Sequence, residues 1–280
     1  MRNRIITDKL IRDFARSLEM DEKSTATREK YLRDISAYRR WLNGVRINKE
    51  TCLRYKQYLL DTYQRTSANS MIAALNAFFR FSGWPELCLR QVKIQKKVYC
   101  SEDKELTKDE YRRLVAAARS RGDRRMELLI QTICTTGIRV SELRSITVEA
   151  ARGGEAFVTC KAKTRSVFLV PGLQKKLLRY AEQLGIKNGS IFVTDSGKPM
   201  DRSNIWRQMK RLCEDANVRQ EKVFPHNLRH LFARTFYAME KDIAKLADIL
   251  GHANINTTRI HMIATGHEHR RRMERMQLLI

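Results

Sequence analysis

The chain has 280 residues, enough to bury a hydrophobic core in one large domain or in two of ordinary size. Its 55 Lys and Arg outnumber its 31 Asp and Glu, and the net charge of +24 favours a polyanionic partner, nucleic acid above all. Six cysteines without a CxxC pair argue against a zinc ribbon or a disulfide framework, and the sequence pattern predicts neither a secretory leader nor a membrane-spanning run. We therefore expect a cytoplasmic protein with reduced thiols.

The first ninety residues are predicted to form four short helices. Thr7 and Asn48 are candidate caps of the first and third helices, Gly44 ends the second, and Ser67 is a candidate start for the fourth. Each helix has one apolar face. The faces consist of Leu10, Ile11, Phe14 and Leu18; Tyr31, Ile35, Tyr38 and Leu42; Cys52, Tyr55 and Leu59; and Ile72, Leu75, Phe78 and Phe79. The pattern predicts a small helical bundle, with the aromatic rings in its core.

A polar stretch from 91 to 105 without a helical pattern is predicted to be an interdomain linker. After it, Thr107 and Glu110 have the spacing of a capping box at the start of a helix. The next helix is predicted to run from Arg124 to about Thr135 and to end at Gly137. A second domain therefore starts near 106.

After this helix, the spacing of apolar residues changes from the helical pattern to that of strands. Two short apolar runs, around Phe157 and from Val167 to Val170, predict two strands, and the polar segment from Lys161 to Ser166 is predicted to be the turn. The remaining helices are predicted at Gln174–Leu184, Arg202–Ala216, Asn227–Ala238 and Asp242–Leu250. The fold class predicted is mainly α, with one small antiparallel sheet (α+β).

Arg139, just after Gly137, is the first candidate for chemistry. A guanidinium can bind two oxygens of one phosphate, because its planar fork matches their spacing. Glu142 follows three residues later, so an ordinary surface ion pair between Arg139 and Glu142 is the alternative.

His226 and Arg229 are three residues apart at the start of a predicted helix, and both can project from one face. Phosphoryl transfer requires positive donors at the phosphate oxygens, where negative charge builds up in the transition state. A buried histidine in the core is the alternative for His226. His226 and His230 also have metal-ligand spacing, but a third ligand and the glutamate of a metalloprotease motif are missing from the pattern, so no metal site is predicted.

The strings Thr136-Gly137-Ile138-Arg139, His226-Asn227-Leu228-Arg229-His230, Gly251-His252 and Thr257-Thr258-Arg259-Ile260-His261 resemble, in order and spacing, the active site of the tyrosine recombinases of the phage integrase family. The resemblance implies that Arg139 and Arg229 hold the scissile phosphate and that His252 hydrogen-bonds to it. It implies a hydrogen bond or a proton transfer for His226. A hairpin lysine, Lys161 or alternatively Lys163, would protonate the departing 5′ oxygen or contact a phosphate.

The same resemblance implies a domain organisation. Residues 1–90 would be a SAM-like core-binding domain of four helices, 91–105 the linker and 106–266 the catalytic domain. The two domains would form a C-shaped clamp on double-stranded DNA, which Lys163 and Arg165 would also contact. The apolar end of the 267–280 tail would dock on a neighbouring protomer in a dimer or tetramer. Neither a cofactor nor a metal is implied.

One position departs from the family. The nucleophilic tyrosine is expected three residues after the paired threonines, where this chain has His261. One explanation is an integrase that has lost its tyrosine, in nature or by design, and still binds DNA. The others are a DNA-binding relative that no longer cleaves, and attack by His261 itself. We predict no strand cleavage at neutral pH.

The predicted function is therefore site-specific DNA recombination through a 3′-phosphotyrosyl intermediate, in a form impaired at its nucleophile. A non-catalytic DNA-binding protein on the same scaffold is the alternative. A type IB topoisomerase fits the N-terminal bundle and the C-terminal tail less well. A metal-dependent transposase is disfavoured, because no set of carboxylates stands out in the sequence.

Overall fold

A computed structural model describes residues 4–94, 105–160, 163–252 and 254–261. The chain divides into two compact units, Met1–Lys96 and Lys97–Ile280. The division falls within the segment predicted to be the linker.

Four helices build the first unit over residues 4–94. The side chains of Thr7, Ser24 and Asn48 accept hydrogen bonds from backbone N–H groups in the first turns of the first three helices, and Asn43 and Gly44 end the second in left-handed conformations. The predicted caps at Thr7 and Asn48 are confirmed. The helices are α1 (Asp8–Met20), α2 (Thr25–Leu42), α3 (Lys49–Thr62) and α4 (Arg65–Phe81), followed by a 3₁₀ turn at Pro85–Leu87.

The core of this unit is aromatic, as the apolar faces predict. Tyr38 packs against Tyr55 with ring centroids 4.7 Å apart, and Phe14 meets Phe78 edge-on at 5.2 Å. The edge-on geometry of Phe14 and Phe78 is a favourable one for aromatic pairs. The expected start of α4 at Ser67 is wrong: the helix begins two residues earlier, and Gln64 provides no side-chain cap. Exposed N–H groups at a helix start can be satisfied by water, so the helix does not need a capping side chain there.

The second unit is also mostly helical. The predicted capping box is confirmed, because Thr107 Oγ1 accepts from the Glu110 N–H and the Glu110 carboxylate accepts from the Thr107 N–H. A 3₁₀ segment at Val140–Ser145 follows the second helix, and another 3₁₀ turn lies at Gln220–Lys222. The helices are α5 (Lys108–Ser120), α6 (Arg124–Thr136), α7 (Val148–Gly153), α8 (Pro171–Gln183), α9 (Arg202–Arg211), α10 (Pro225–Glu240), α11 (Ile243–Leu250) and α12 (Ile255–His261).

A two-stranded antiparallel sheet separates α7 from α8. It consists of β1 (Glu155–Cys160) and β2 (Lys163–Phe168), with Val158 opposite Arg165 and Cys160 opposite Lys163. The residues from Lys163 to Ser166, predicted to lie in the turn, belong to β2. Strand side chains alternate between the two faces, so Arg165 shares the inward face with the buried Val167.

Helix α10 packs against α6, and both contribute to the main core of this unit. Several helix bounds differ from the prediction: α8 begins three residues earlier, at Pro171, and α10 is longer at both ends. Helix α9 ends at Arg211 rather than Ala216, with Asn217 in a left-handed conformation beyond it. The predicted fold class is confirmed: the described residues form a mainly helical protein with one small antiparallel sheet.

Candidate active site

Two glycines bring the site's elements together. Gly137 ends α6 with φ 65°, and a Cβ atom there would lie 2.5 Å from Cδ1 of Phe232 on α10. Gly251 ends α11 with φ 64°, and a Cβ atom would lie 2.4 Å from Cδ of Arg165 on β2. Both positions therefore need glycine for backbone conformation and for space. Their carbonyl groups each accept a hydrogen bond from an arginine of the site.

Arg139 lies where α6 gives way to the 3₁₀ segment. Its Nη1 donates to Glu142 Oε1 at 2.9 Å, and its Nη2 donates to the Gly251 carbonyl at 3.2 Å. About a third of its side chain is exposed, whereas Glu142 is buried. The Arg139–Glu142 ion pair considered from the sequence therefore exists, but it is partly buried rather than on the surface. Arg139 is also hydrogen-bonded to the end of α11.

Glu142 binds a second arginine. Arg165 Nη2 donates to Glu142 Oε2 at 2.7 Å, and Arg165 Nη1 donates to the Ile249 carbonyl at 3.0 Å. Burial by itself would raise the pKa of Glu142, but the hydrogen bonds from Arg139 and the charges of Arg165 and Arg139 outweigh it, and the pKa is lowered. The carboxylate is therefore ionised at neutral pH and orients both guanidinium groups.

Arg229, in the second turn of α10, is almost fully buried. Its Nη1 donates to the Gly137 carbonyl at 2.5 Å, and its Nη2 donates to the Leu250 carbonyl at 2.7 Å and to Nε2 of His252 at 2.9 Å. Burial and the charges of Arg139 and Arg165 lower its pKa to about 9, so it stays positively charged at neutral pH. Its Nε–H is buried and has no acceptor within the described residues.

The contacts of His252 define its tautomer. A guanidinium can only donate, so Nε2 of His252 accepts from Arg229, and the ring proton is on Nδ1. Nδ1 then donates to Thr258 Oγ1 at 2.8 Å, on α12. Burial, followed by the charges of Arg229, Arg139 and Arg165, lowers the pKa of His252 to about 4. His252 is therefore neutral at pH 7 in the free protein.

His226 and His230 lie one turn apart on α10, and their rings meet edge-on with centroids 4.6 Å apart. Burial and the positive charges of Arg229, Arg139 and Arg202 lower the pKa of His226. Burial, the neighbouring His226 and nearby arginines lower the pKa of His230 to about 3. Both imidazoles are neutral at pH 7, so His226 can accept or donate a proton in that form.

A cavity of about 520 Å³ opens beside these groups. Arg139, His226 and Arg229 line it, together with Arg202 and Trp206 of α9. Arg139, Arg165 and Arg229 lie around the carboxylate of Glu142. When the histidines are neutral, these four groups together have a net charge of 3 − 1 = +2. A small, positively charged cavity with several N–H donors is suited to an anion with several oxygens, such as a phosphate.

The structure brings together four of the residues predicted from sequence: Arg139, His226, Arg229 and His252. Arg165 is near them, but its guanidinium faces Glu142 and Ile249 in the interior, and 13% of its side chain is exposed. Lys161 and the tail of 267–280 lie outside the described residues, as do the side chains of Lys163 and His261. Sequence reasoning missed Arg202 and Trp206, although a tryptophan one turn after an arginine in a predicted helix rich in basic residues is a usable signal.

A family comparison decides the identity of the chain. Residues 104–265 match the model of the phage integrase family, and residues 11–84 match the model of the phage integrase N-terminal SAM-like domain. The chain belongs to the phage integrase family. The family resemblance found in the sequence is therefore confirmed.

Curated relatives of this family match along nearly the whole chain. The tyrosine recombinase XerA of Thermococcus kodakarensis is 29% identical, covering 97% of this chain and 96% of its own length. XerA of Pyrococcus furiosus is 28% identical, covering 100% of this chain and 98% of its own. These relatives are tyrosine recombinases by name.

Solved structures have the same fold. A crystal structure of XerA recombinase matches with a TM-score of 0.55 and 26% identity, covering 98% of this chain and 100% of that one. A lambda integrase dimer bound to a COC′ core site matches with a TM-score of 0.73 and 19% identity, covering 92% and 77% of the two chains. XerH bound to its difH substrate matches with a TM-score of 0.70 and 17% identity, covering 92% and 82%.

No described helix is both long and apolar enough to cross a membrane. Within residues 4–94, 105–160, 163–252 and 254–261, no group of three His, Cys, Asp or Glu side chains is placed to hold a metal ion.

Proposed function

We propose that this integrase-family protein binds the scissile phosphate of double-stranded DNA between Arg139, Arg229, His226 and His252, as a site-specific recombinase does. The observation that carries the proposal is the convergence of both guanidinium groups and both imidazoles beside one positively charged cavity. The buried Nε–H of Arg229, without an acceptor in the described residues, supports an incoming oxygen ligand.

Each residue then has a role in phosphoryl transfer. Arg139 and Arg229 donate to the non-bridging oxygens, where negative charge increases in the transition state. The phosphate oxygen competes with Nε2 of His252 for the Arg229 donor, and its negative charge raises the pKa of both histidines. A protonated His252 can then donate from Nε2 to the phosphate, and His226 can transfer a proton. Lys161, with Lys163 as the alternative, is proposed as the general acid for the 5′ oxygen.

The proposal extends to the organisation of the protein. We assign residues 1–90 to core binding, 91–105 to the linker and 106–266 to the catalytic domain. Two sources support this: the family matches to residues 11–84 and 104–265, and the relatives' structures, which are DNA-bound dimers or tetramers in several cases. We propose that this chain also forms a dimer to tetramer on DNA, and that Leu278, Leu279 and Ile280 of the tail dock on a neighbouring protomer.

His261 limits the activity. It is the last residue of α12, three positions after the buried Thr258 that accepts the hydrogen bond of His252. In the family this position belongs to the tyrosine that forms the 3′-phosphotyrosyl bond. We propose that the protein binds DNA at this pocket and does not cleave it, because the hydroxyl that attacks phosphorus is missing. A non-catalytic DNA-binding protein on the same scaffold is the second candidate, and the missing tyrosine itself favours it.

Replacing His261 with tyrosine tests the proposal and separates the two candidates. The substrates are nicked duplexes of sequences that the protein selects from a random DNA pool by binding. The expected result is a covalent protein–DNA adduct with His261→Tyr and none with the native protein. The matched control His261→Phe supplies the ring without the hydroxyl, and it should form no adduct.

The other outcomes are equally informative. A covalent adduct with the native protein at neutral pH contradicts the proposed loss of cleavage. DNA binding without an adduct for His261→Tyr supports the non-catalytic candidate. An adduct with His261→Tyr that persists after Arg139→Ala shows that Arg139 does not act on the scissile phosphate.

A further inference from the structure

The cavity beside the proposed phosphate pocket has a second wall, formed by α9. Arg202 and Trp206 line the same cavity as Arg139, His226 and Arg229. An independent observation places Arg202 there as well, since its charge is among those that lower the pKa of His226. Residues four apart on a helix lie on neighbouring turns of one face, so Arg202 and Trp206 present a cation and an aromatic ring side by side.

The indole of Trp206 is large, exposed and held in place. About half of the residue, 49%, is accessible to solvent. The Lys210 ammonium lies 5.1 Å from the centre of the ring and also donates to the Gln220 carbonyl. A cation over an aromatic face stabilises the ring's orientation. An indole fixed in this way loses little conformational freedom when a ligand covers it.

The charge of α9 indicates which ligand would cover the indole of Trp206. Four of its ten residues are Arg or Lys and none is acidic: Arg202, Arg207, Lys210 and Arg211. Inward contacts come from the buried Ile205 and Met209. A cationic helix face with one aromatic ring at the edge of an anion pocket matches a nucleotide strand, in which phosphates alternate with apolar sugar and base surfaces.

We propose that Arg202 and Trp206 extend the phosphate pocket into a nucleotide-binding subsite. Arg202 binds a phosphate next to the scissile one, and Trp206 packs against the sugar and base of the nucleotide between them. This inference rests on the proposed function, because it takes the occupant of the neighbouring pocket to be a DNA phosphate.

The test compares Trp206→Ala and Arg202→Ala with Arg179→Ala, which removes one positive charge from an exposed position on α8. Binding of a short mixed-sequence duplex and of inorganic polyphosphate is measured over a series of salt concentrations. Polyphosphate carries phosphates without sugars or bases. Alanine removes the apolar surface that the indole would bury against a sugar and a base edge, so Trp206→Ala should bind the duplex about fivefold more weakly and polyphosphate as well as the native protein does.

Arg202→Ala should weaken binding of both ligands and reduce the salt slope for DNA by about 1 relative to Arg179→Ala. Trp206→Phe, which keeps an aromatic ring, should recover most of the duplex affinity. DNA should quench a component of the tryptophan fluorescence that Trp206→Phe lacks. Thermal melting shows whether each variant is folded, and Trp206→Leu, which keeps an apolar side chain without an aromatic ring, replaces Trp206→Ala if the latter is not.

Three results overturn the inference. The first is duplex binding by Trp206→Ala that equals that of Arg179→Ala. The second is an equal loss for duplex and polyphosphate, which means that the ring acts only through the placement of Lys210. The third is no quenching difference between the native protein and Trp206→Phe. If Arg139→Ala weakens duplex binding and Trp206→Ala does not, the phosphate pocket stands and only the subsite fails; if the native protein binds no duplex, both proposals fail.

Discussion

The two units bury different kinds of side chain. The core of the first unit is made of aromatic and aliphatic side chains; its buried Asn76 is satisfied by the backbone N–H and carbonyl of Leu89, and its buried Asp34 pairs with the partly exposed Lys30 at the edge of the core. The second unit buries an ionised carboxylate, Glu142, and the guanidinium of Arg229 beside its core. Burying charge costs free energy unless every group is paired and hydrogen-bonded.

The difference separates residues kept for packing from residues kept for binding. The charges of Arg229, Arg139 and Arg165 are retained around one carboxylate and one cavity, which is what an anion site needs. Four predictions test this contrast, in decreasing order of their effect on the free energy of unfolding.

Arg229→Ala should destabilise the second unit most. It leaves the buried Gly137 and Leu250 carbonyls without their donor and opens a cavity, at a combined cost of about 3 kcal/mol. Arg80→Ala, at an exposed position of α4 in the first unit, is the control and should change the free energy of unfolding by less than about 0.5 kcal/mol. Denaturant unfolding followed by circular dichroism measures both. If both variants changed the free energy of unfolding equally, the buried Arg229 would not stabilise the fold.

Gly137→Ala should have the next largest effect, about 2 kcal/mol, because its φ is positive and the new methyl group would collide with Phe232. Gly44→Ala in the first unit separates the two causes. Gly44 has φ 82°, and a Cβ atom added there would have no neighbour within 4 Å, so only the backbone strain remains, about 1 kcal/mol. Thermal melting measures both variants. If Gly137→Ala and Gly44→Ala lose the same stability, α6 and α10 do not approach as closely as described.

The stability of the second unit should fall on mild acidification. The pKa of His252 is lowered from 6.5 to about 4 and that of His230 to about 3 in the folded chain. Below pH 6.5 the unfolded chain therefore binds protons that the folded chain does not, so stability present above pH 6.5 is lost as the pH falls toward 4.

The expected loss is on the order of 1 kcal/mol between pH 6.5 and 5.5. All six histidines of the chain lie between positions 226 and 269, so the first unit should show no such loss in this range. Thermal melting of the native protein and of His252→Gln across these pH values checks the prediction. An unchanged pH dependence in His252→Gln would contradict the assigned contribution of His252.

Arg139→Ala should have the smallest effect on stability, below about 1 kcal/mol, because the side chain is partly exposed and Glu142 keeps Arg165 as a partner. Its effect on DNA should be larger, with the salt slope of duplex binding reduced by about 1. Arg179→Ala controls for the lost charge. A stability loss equal to that of Arg229→Ala would show that both arginines are structural.

The sequence predicted most of the fold because its signals are local. The caps at Thr7 and Asn48, the capping box at Thr107 and the glycines at 137 and 251 act within a few residues, and each is found in the structure. The site residues Arg139, His226, Arg229 and His252 were predicted from family spacing, and the fold brings them together.

What the sequence did not predict depends on tertiary contacts. Arg165 was predicted to lie in the turn between the strands, but β2 begins earlier and turns its side chain toward Glu142, and its contact with DNA stays a prediction. The alternation of Arg165 with Val167 was the signal that could have corrected this. The position of Trp206 beside the cavity depends on how α9 packs near α10, which no local pattern specifies.

The most direct test of the phosphate pocket is the titration of His252, followed by NMR of its ring nitrogens with and without a short DNA duplex. In the free protein the ring should be neutral, with its proton on Nδ1 and a pKa of about 4. A phosphate bound between Arg139, Arg229 and His252 should raise this pKa, because its negative charge favours the imidazolium. A pKa near 4 in both states, on a duplex that is shown to be bound, would contradict the proposed site.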